Sequence, residues 1–184
     1  MRADRIILGI DPGTNIMGYG LIHNNGNLIR LVNFGVIKLS RYTNQALKLK
    51  KIFEKTLSLI DEYKPDEIAI ESPFYGKNIQ SMHKLGRAQG VAMAAGLYRD
   101  VPIFEYSPRK IKQSITGRGN ASKEQVAAML LNLLKINEIP SYFDESDALA
   151  IAVCHYFQKS PHEKGNSYSG WSQFARNNPG RITD

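Results

Sequence analysis

The sequence predicts an α/β domain built on a five-stranded mixed sheet with helices on both faces. Three observations carry that expectation. Three apolar runs follow one another before any helical pattern, later runs alternate with segments of helical period, and acids close two of the runs.

The first third reads as a β-meander. Arg5–Ile10 is one strand and Gly18–His23 a second. Asn24-Asn25-Gly26-Asn27 is a strong turn signal, and Leu28–Leu39 supplies the third strand. Leu49, Ile52, Phe53, Leu57, Ile60 and Tyr63 then recur at helical spacing, with Lys48, Lys50, Lys51 and Lys55 pointing outward. Pro65 stops that helix, and Asp66–Glu71 has the composition of a buried strand.

Met82–Tyr98 is a helix of small residues, in which Gly86, Gly90 and Gly96 suggest close packing against the sheet or a partner. Val101–Tyr106 is the fifth strand, and a basic segment, Pro108–Thr116, follows it. Gly117-Arg118-Gly119-Asn120 is a flexible link. Ser122 and Gln125 form a capping box opening a helix to Leu134, and a last helix spans Asp144 to Phe157. Residues 1–159 thus form one domain, and 160–184, rich in Gly, Asn, Ser and Pro without apolar period, are expected to be a disordered tail.

The length, 184 residues, suits one domain with a substantial core, and 42% apolar residues are enough to fold without disulfides or a structural metal. Lys and Arg number 24 against 17 Asp and Glu, a net charge of +7. That balance favours a polyanionic partner, with an ordinary basic enzyme surface as the alternative. Cys154 stands alone, so no intrachain disulfide can form and a reducing compartment fits. There is no secretory signal, and no run approaches the ~20 apolar residues that span a bilayer. A cytoplasmic protein without membrane contact is expected.

Four acids carry the chemistry. Asp11 closes the first strand before Pro12-Gly13-Thr14, and Glu71 closes the fourth. Asp144 and Asp147 share one face at the start of the last helix, ahead of the apolar Ala148–Val153. Each has a structural alternative: an Asx-turn for Asp11, a solvated strand end for Glu71, helix capping for the pair. Together they need a counter-charge to stay ionised, and oxygen ligands suit Mg²⁺, with Mn²⁺ as a substitute, over Zn²⁺. Two such ions roughly 3.5–4 Å apart suit in-line phosphodiester hydrolysis. His23, His83, His155 and His162 are scattered and read as surface or packing residues.

Arg109, Lys110, Lys112, Arg118 and Lys123 follow the fifth strand as candidate phosphate contacts. Lys123 falls in a helix's first turn, where a cation is unfavourable, so either use on a phosphate or simple solvation accounts for it. Phe74 and Tyr75, with Lys77 beside them, occupy a loop after Glu71. An exposed aromatic there could stack on an unpaired base for ~1–3 kcal/mol; the alternative is a ring tucked under its own loop.

These residues together resemble the RuvC family of Holliday-junction resolvases. The resemblance spans about Arg5 to Phe157 and rests on ordered segments. They include Ile7-Leu8-Gly9-Ile10-Asp11-Pro12-Gly13-Thr14, Ile70-Glu71-Ser72-Pro73-Phe74 with Lys77-Asn78, Lys84-Leu85-Gly86-Arg87-Ala88-Gln89-Gly90-Val91-Ala92, Phe104-Glu105-Tyr106 and Asp144-Glu145-Ser146-Asp147-Ala148. It implies a ribonuclease H-like fold and a homodimer that nicks opposing strands of four-way junction DNA symmetrically, in homologous recombination and DNA repair. By motif, Asp11, Glu71, Asp144 and Asp147 become catalytic metal ligands for two Mg²⁺ ions, Lys112 and Lys123 functional lysines, and Phe74 the junction-stacking aromatic. A branch-migration complex of the RuvA and RuvB type is the implied partner. Small residues of Met82–Tyr98, Ala88 and Ala92 among them, are candidate dimer contacts.

Three rivals remain at this stage. An ATP-using enzyme of the actin and sugar-kinase fold shares the Gly-Ile-Asp-x-Gly-Thr loop but needs a second lobe. Another ribonuclease H-like nuclease would act on RNA or flaps, and a non-catalytic junction-binding module would keep the fold without the chemistry.

Overall fold

Alternation along the first strand decides the layering. In β1 (Asp4–Asp11), Leu8 and Ile10 enter one core while Ile7 enters the other. The computed structural model describes residues 4–26, 28–72, 78–136 and 143–158, without the side chains of Phe143 and Asp144.

β1 pairs antiparallel with β2 (Ile16–Asn25), which pairs antiparallel with β3 (Ile29–Lys38). On its other side β1 runs parallel to β4 (Glu67–Glu71), and β4 to β5 (Ile103–Tyr106). The order β3-β2-β1-β4-β5 is the expected five-stranded mixed sheet. α1 (Gln45–Tyr63) and α2 (Ile79–Tyr98) cover one face, where Ile52, Leu59, Ala88 and Ala92 meet Leu8, Ile10, Ile68 and Ile70. α3 (Pro108–Thr116), α4 (Lys123–Leu134) and α5 (Phe143–Phe157) cover the other, with Ile111, Val126, Leu130 and Leu149 packed on Ile7, Ile22 and Ala69.

α3 is a helix where the sequence had suggested only a basic segment. Its punctuation is complete: Ser107 caps the N-terminus by accepting from Lys110 N–H, and Pro108 opens the first turn. Ile111 and Ile115, four apart, are buried, and Gly117 at φ 76° closes the end. The surrounding charge concealed a short amphipathic period. β5 starts two residues later than expected, because Val101 and Pro102 only approach β4, where Ile68 N–H donates to Pro102 O at 2.8 Å. α2 starts earlier, at Ile79, since Asn78 caps it by accepting from Ser81 N–H.

α5 lies directly on the sheet because Gly9 leaves room for it. A Cβ at Gly9 would sit 2.2 Å from Ala148 O and 2.8 Å from Ala152 N. Further along the same face, Arg5 donates to Glu67 at 2.7 Å, and His155 links Glu67 (2.9 Å) to the Tyr106 hydroxyl (2.5 Å). Of the surface or packing roles expected for it, His155 takes the packing one, its ring 4.5 Å from that of Phe104, and adds a buried polar bridge that the sequence did not suggest. Cys154 is core, as expected. Among the described residues no helix is long and apolar enough to cross a membrane. The stretch 160–184 lies outside them.

Candidate active site

Period-two alternation puts Asp11 on the face of Ile7 and Gly9, and Glu71 on the face of Glu67 and Ala69. Both therefore point toward α5. The parallel register pairs Ile10 with Ile70, so Asp11 and Glu71 end neighbouring strands. α5 brings Asp147 to the same place, its approach fixed by Gly9. The three carboxylates line one cleft of about 310 Å³, with Lys112 of α3, Lys123 of α4 and an apolar wall of Pro108, Ile111, Val126 and Ala150.

Electrostatics set this cleft apart from the rest of the sheet edge. Burial first, and then the charge of Asp147, push the Glu71 carboxyl up to about 7, against the opposing pull of Lys123 and Lys112. Lys123 answers part of the negative charge directly, its ammonium donating to Asp147 Oδ2 at 2.5 Å. Among the described residues no three acidic side chains close into a ready-made metal cage. The Lys123 ammonium occupies one of the three carboxylates, that of Asp147.

The donor set is nevertheless oxygen-only, and a carboxyl held up to about 7 is one whose proton a divalent cation would readily displace. Asp11, Glu71 and Asp147 fit a hard cation. Asp144 begins α5, but its side chain lies outside the described residues.

The five cations expected as phosphate contacts take two kinds of position. Lys112 and Lys123 reach the cleft, the latter from a helix start fixed by the Ser122–Gln125 capping box. Arg109 and Lys110 are exposed on the first turn of α3, and Arg118 is exposed just beyond Gly117. None of these three lines the cleft. Phe74, Tyr75 and Lys77 lie outside the described residues.

One residue was missed. Gln89 of α2 is buried and donates to the Glu71 backbone oxygen at 3.3 Å and to Glu105 Oε2 at 2.8 Å. Its signal in the sequence was a lone uncharged amide in a run of Ala and Gly.

A family model described as crossover junction endodeoxyribonuclease RuvC matches residues 7–155. The chain belongs to the RuvC family. The crossover junction endodeoxyribonuclease RuvC of Cytophaga hutchinsonii is 62% identical over 97% of this chain and 88% of its own. That of Christiangramia forsetii is 57% identical over 99% and 95%. Among solved structures, Thermus thermophilus RuvC in complex with a Holliday junction substrate superposes with a TM-score of 0.79 at 32% identity, covering 83% of this chain and 93% of that one. A yeast mitochondrial Holliday junction resolvase shares the fold, with a TM-score of 0.62 at 16% identity. The RuvC fold is a ribonuclease H-like nuclease fold, as the resemblance implied.

Proposed function

We infer that the protein is a structure-specific endodeoxyribonuclease that resolves four-way DNA junctions by paired nicks, serving homologous recombination and DNA repair. The observation that carries it is the convergence of Asp11, Glu71 and Asp147 with Lys112 and Lys123 in one cleft of a RuvC-family fold. We propose Asp11, Glu71, Asp144 and Asp147 as the ligands of two Mg²⁺ ions, with Mn²⁺ as a substitute. When bound, the ions would polarise the scissile phosphate and stabilise the leaving oxygen.

The chain's own groups do the rest. Glu71, once deprotonated, accepts a proton or a cation beside Asp147. Lys123, released from Asp147, is placed to meet a phosphate oxygen, and Lys112 adds a second positive charge from the facing helix. Pro108, Ile111 and Val126 keep the floor of the cleft apolar, which strengthens each of these interactions. Phe74, Tyr75, Lys77, Arg109, Lys110 and Arg118 are proposed as contacts to the flanking strands.

A homodimer is proposed because two related phosphates must be cut, and a two-fold assembly supplies two equivalent sites. Support comes from α2, where Ile79 and Leu97 are 69% and 63% exposed on one stripe with Gly86 and Gly90. A Cβ at either glycine would meet nothing within 4 Å. Ala88 and Ala92, expected as dimer contacts, are buried in the protomer's own core, so the alternative stripe carries the proposal. Coupling to a RuvA- and RuvB-type motor and a cytoplasmic location belong to the same reading. Nick mapping on a mobile-core junction tests it: symmetric nicks in Mg²⁺, absent in EDTA and absent on matched duplex, are expected. Cleavage of RNA or flaps in preference to junctions would replace it.

A further inference from the structure

A second concavity lies on the opposite face of the sheet from the catalytic cleft. It is a trough of about 500 Å³ between the end of β3 and α1, lined by Lys38, Arg41, Lys51, Lys55, Glu54 and Ser58 over an apolar floor. Four cations thus face one carboxylate. Glu54 is shared, 2.5 Å from Lys51 and 3.7 Å from Lys50, so it cannot neutralise the set. Lys55 holds its ammonium 5.3 Å from the Tyr19 ring centroid, and the Arg41 guanidinium sits 5.1 Å from that of Tyr42. Both cations are steered by rings while remaining able to donate outward.

Position gives this charge its meaning. Lys38 pairs with Ile16 in the β2–β3 register, and Leu39 and Ser40 N–H both donate to Asn15 O. Lys48 donates to Thr14 O at 3.0 Å. The mouth of the trough is therefore built on the turn that follows Asp11. From there α1 carries Lys51 and Lys55 away on successive turns, about 6 Å apart along the axis at ~1.5 Å per residue, with the Ser58 hydroxyl one turn further on. A ladder of cations leading away from a cut site fits a sugar–phosphate backbone better than a compact anion.

We propose that the trough between β3 and α1 is a second DNA site, holding the backbone of one duplex arm as it leaves the catalytic cleft. This rests on the junction-resolving reading above.

The test is anisotropy of the full-length protein on four-way junctions whose arms are shortened stepwise, in EDTA and across a salt series. Wild type is compared with Arg41→Gln/Lys51→Gln/Lys55→Gln, with Arg41→Lys/Lys51→Arg/Lys55→Arg, and with Glu54→Gln. The neutral triple variant is expected to lose about tenfold to a hundredfold in affinity for long arms, to lower the log–log salt slope by about 2–3, and to become insensitive to arm length. The charge-conserving triple keeps all three properties, and Glu54→Gln binds more tightly than wild type. Equal thermal unfolding of wild type and variants shows that charge, not folding, moved.

A neutral triple variant with the wild-type slope and arm-length dependence overturns the proposal. So does a loss that is the same at every arm length, which would mean general charge attraction or a different acidic partner. Failure of the junction reading looks different: wild type itself would bind junction and plain duplex alike, and the arm site would fall with it.

Discussion

Lys123 and Asp147 form an ion pair at 2.5 Å across the mouth of the catalytic cleft, joining the start of α4 to the second turn of α5. A lysine at a helix N-terminus opposes the macrodipole, so Asp147 offsets a local electrostatic cost. The pair is partly exposed, and its contribution to stability is small, within about 1 kcal/mol. Its consequence is for charge. The ammonium holds the place of a cation in the metal-free cleft and lowers the pKa of Glu71 from across the site.

Lys123→Met should therefore act on chemistry more than on folding. Cleavage is expected to fall by about 10²–10³-fold, the range for losing one group that stabilises developing charge. The acid limb of the pH–rate profile should move to higher pH, since the residue that lowers the pKa of Glu71 is gone. Single-turnover rates across pH check both. An unmoved acid limb would separate Lys123 from Glu71.

Glu71 also predicts how stability depends on pH. Its ordinary value is 4.5 and its folded value about 7, so between these the folded chain holds a proton the unfolded chain has lost. Stability falls as pH rises through that window and the loss is complete above about 7, amounting to roughly 1–3 kcal/mol. Glu71→Gln should remove this slope and be the more stable form at pH 8. Mg²⁺ should restore stability to wild type only. Urea midpoints at several pH values decide it, and parallel curves for the two proteins would contradict it.

Gly9→Ala tests the approach of α5 to β1. The new methyl would lie 2.2 Å from Ala148 O, which is backbone and cannot swing aside. Overpacking of this kind costs roughly 2–4 kcal/mol, a drop in Tm of about 5–15 °C. Asp147 moves with the helix, so cleavage should fall at temperatures where the variant remains folded. A variant with wild-type Tm and activity would mean that α5 is not seated by Gly9.

Gln89→Leu tests whether the back of the sheet positions the catalytic acid. The change removes one donor from Glu71 O and from Glu105, costing about 1–3 kcal/mol. A shifted Glu71 should raise the Mg²⁺ concentration needed for half-maximal cleavage, with much of the rate recovered at high Mg²⁺. An unchanged metal dependence beside a lowered Tm would make Gln89 structural only.

Most of this architecture was legible because period and punctuation agreed. β1 and β4 were apolar runs closed by acids and α5 an apolar run opened by them, so the elements, and the placing of Asp11 and Glu71 at strand ends and Asp147 at a helix start, could be read directly. The Ser122–Gln125 box placed Lys123 on its helix correctly. What stayed hidden lacked a periodic signal. α3 is nine residues long, and its two buried isoleucines are outnumbered by charges. Gln89 and the Arg5–Glu67–His155–Tyr106 bridge depend on contacts between residues far apart in sequence. The trough on α1 was seen as outward lysines, because only the fold brings β3 beside them.

The most direct measurement is cleavage of a mobile-core four-way junction by wild type and Asp11→Asn, with junction binding followed in parallel. The account predicts that both proteins bind the junction, and that wild type alone makes paired symmetric nicks, lost in EDTA. Paired nicking by Asp11→Asn at the wild-type rate would contradict it, as would wild type that binds junctions and cuts none in Mg²⁺ or Mn²⁺.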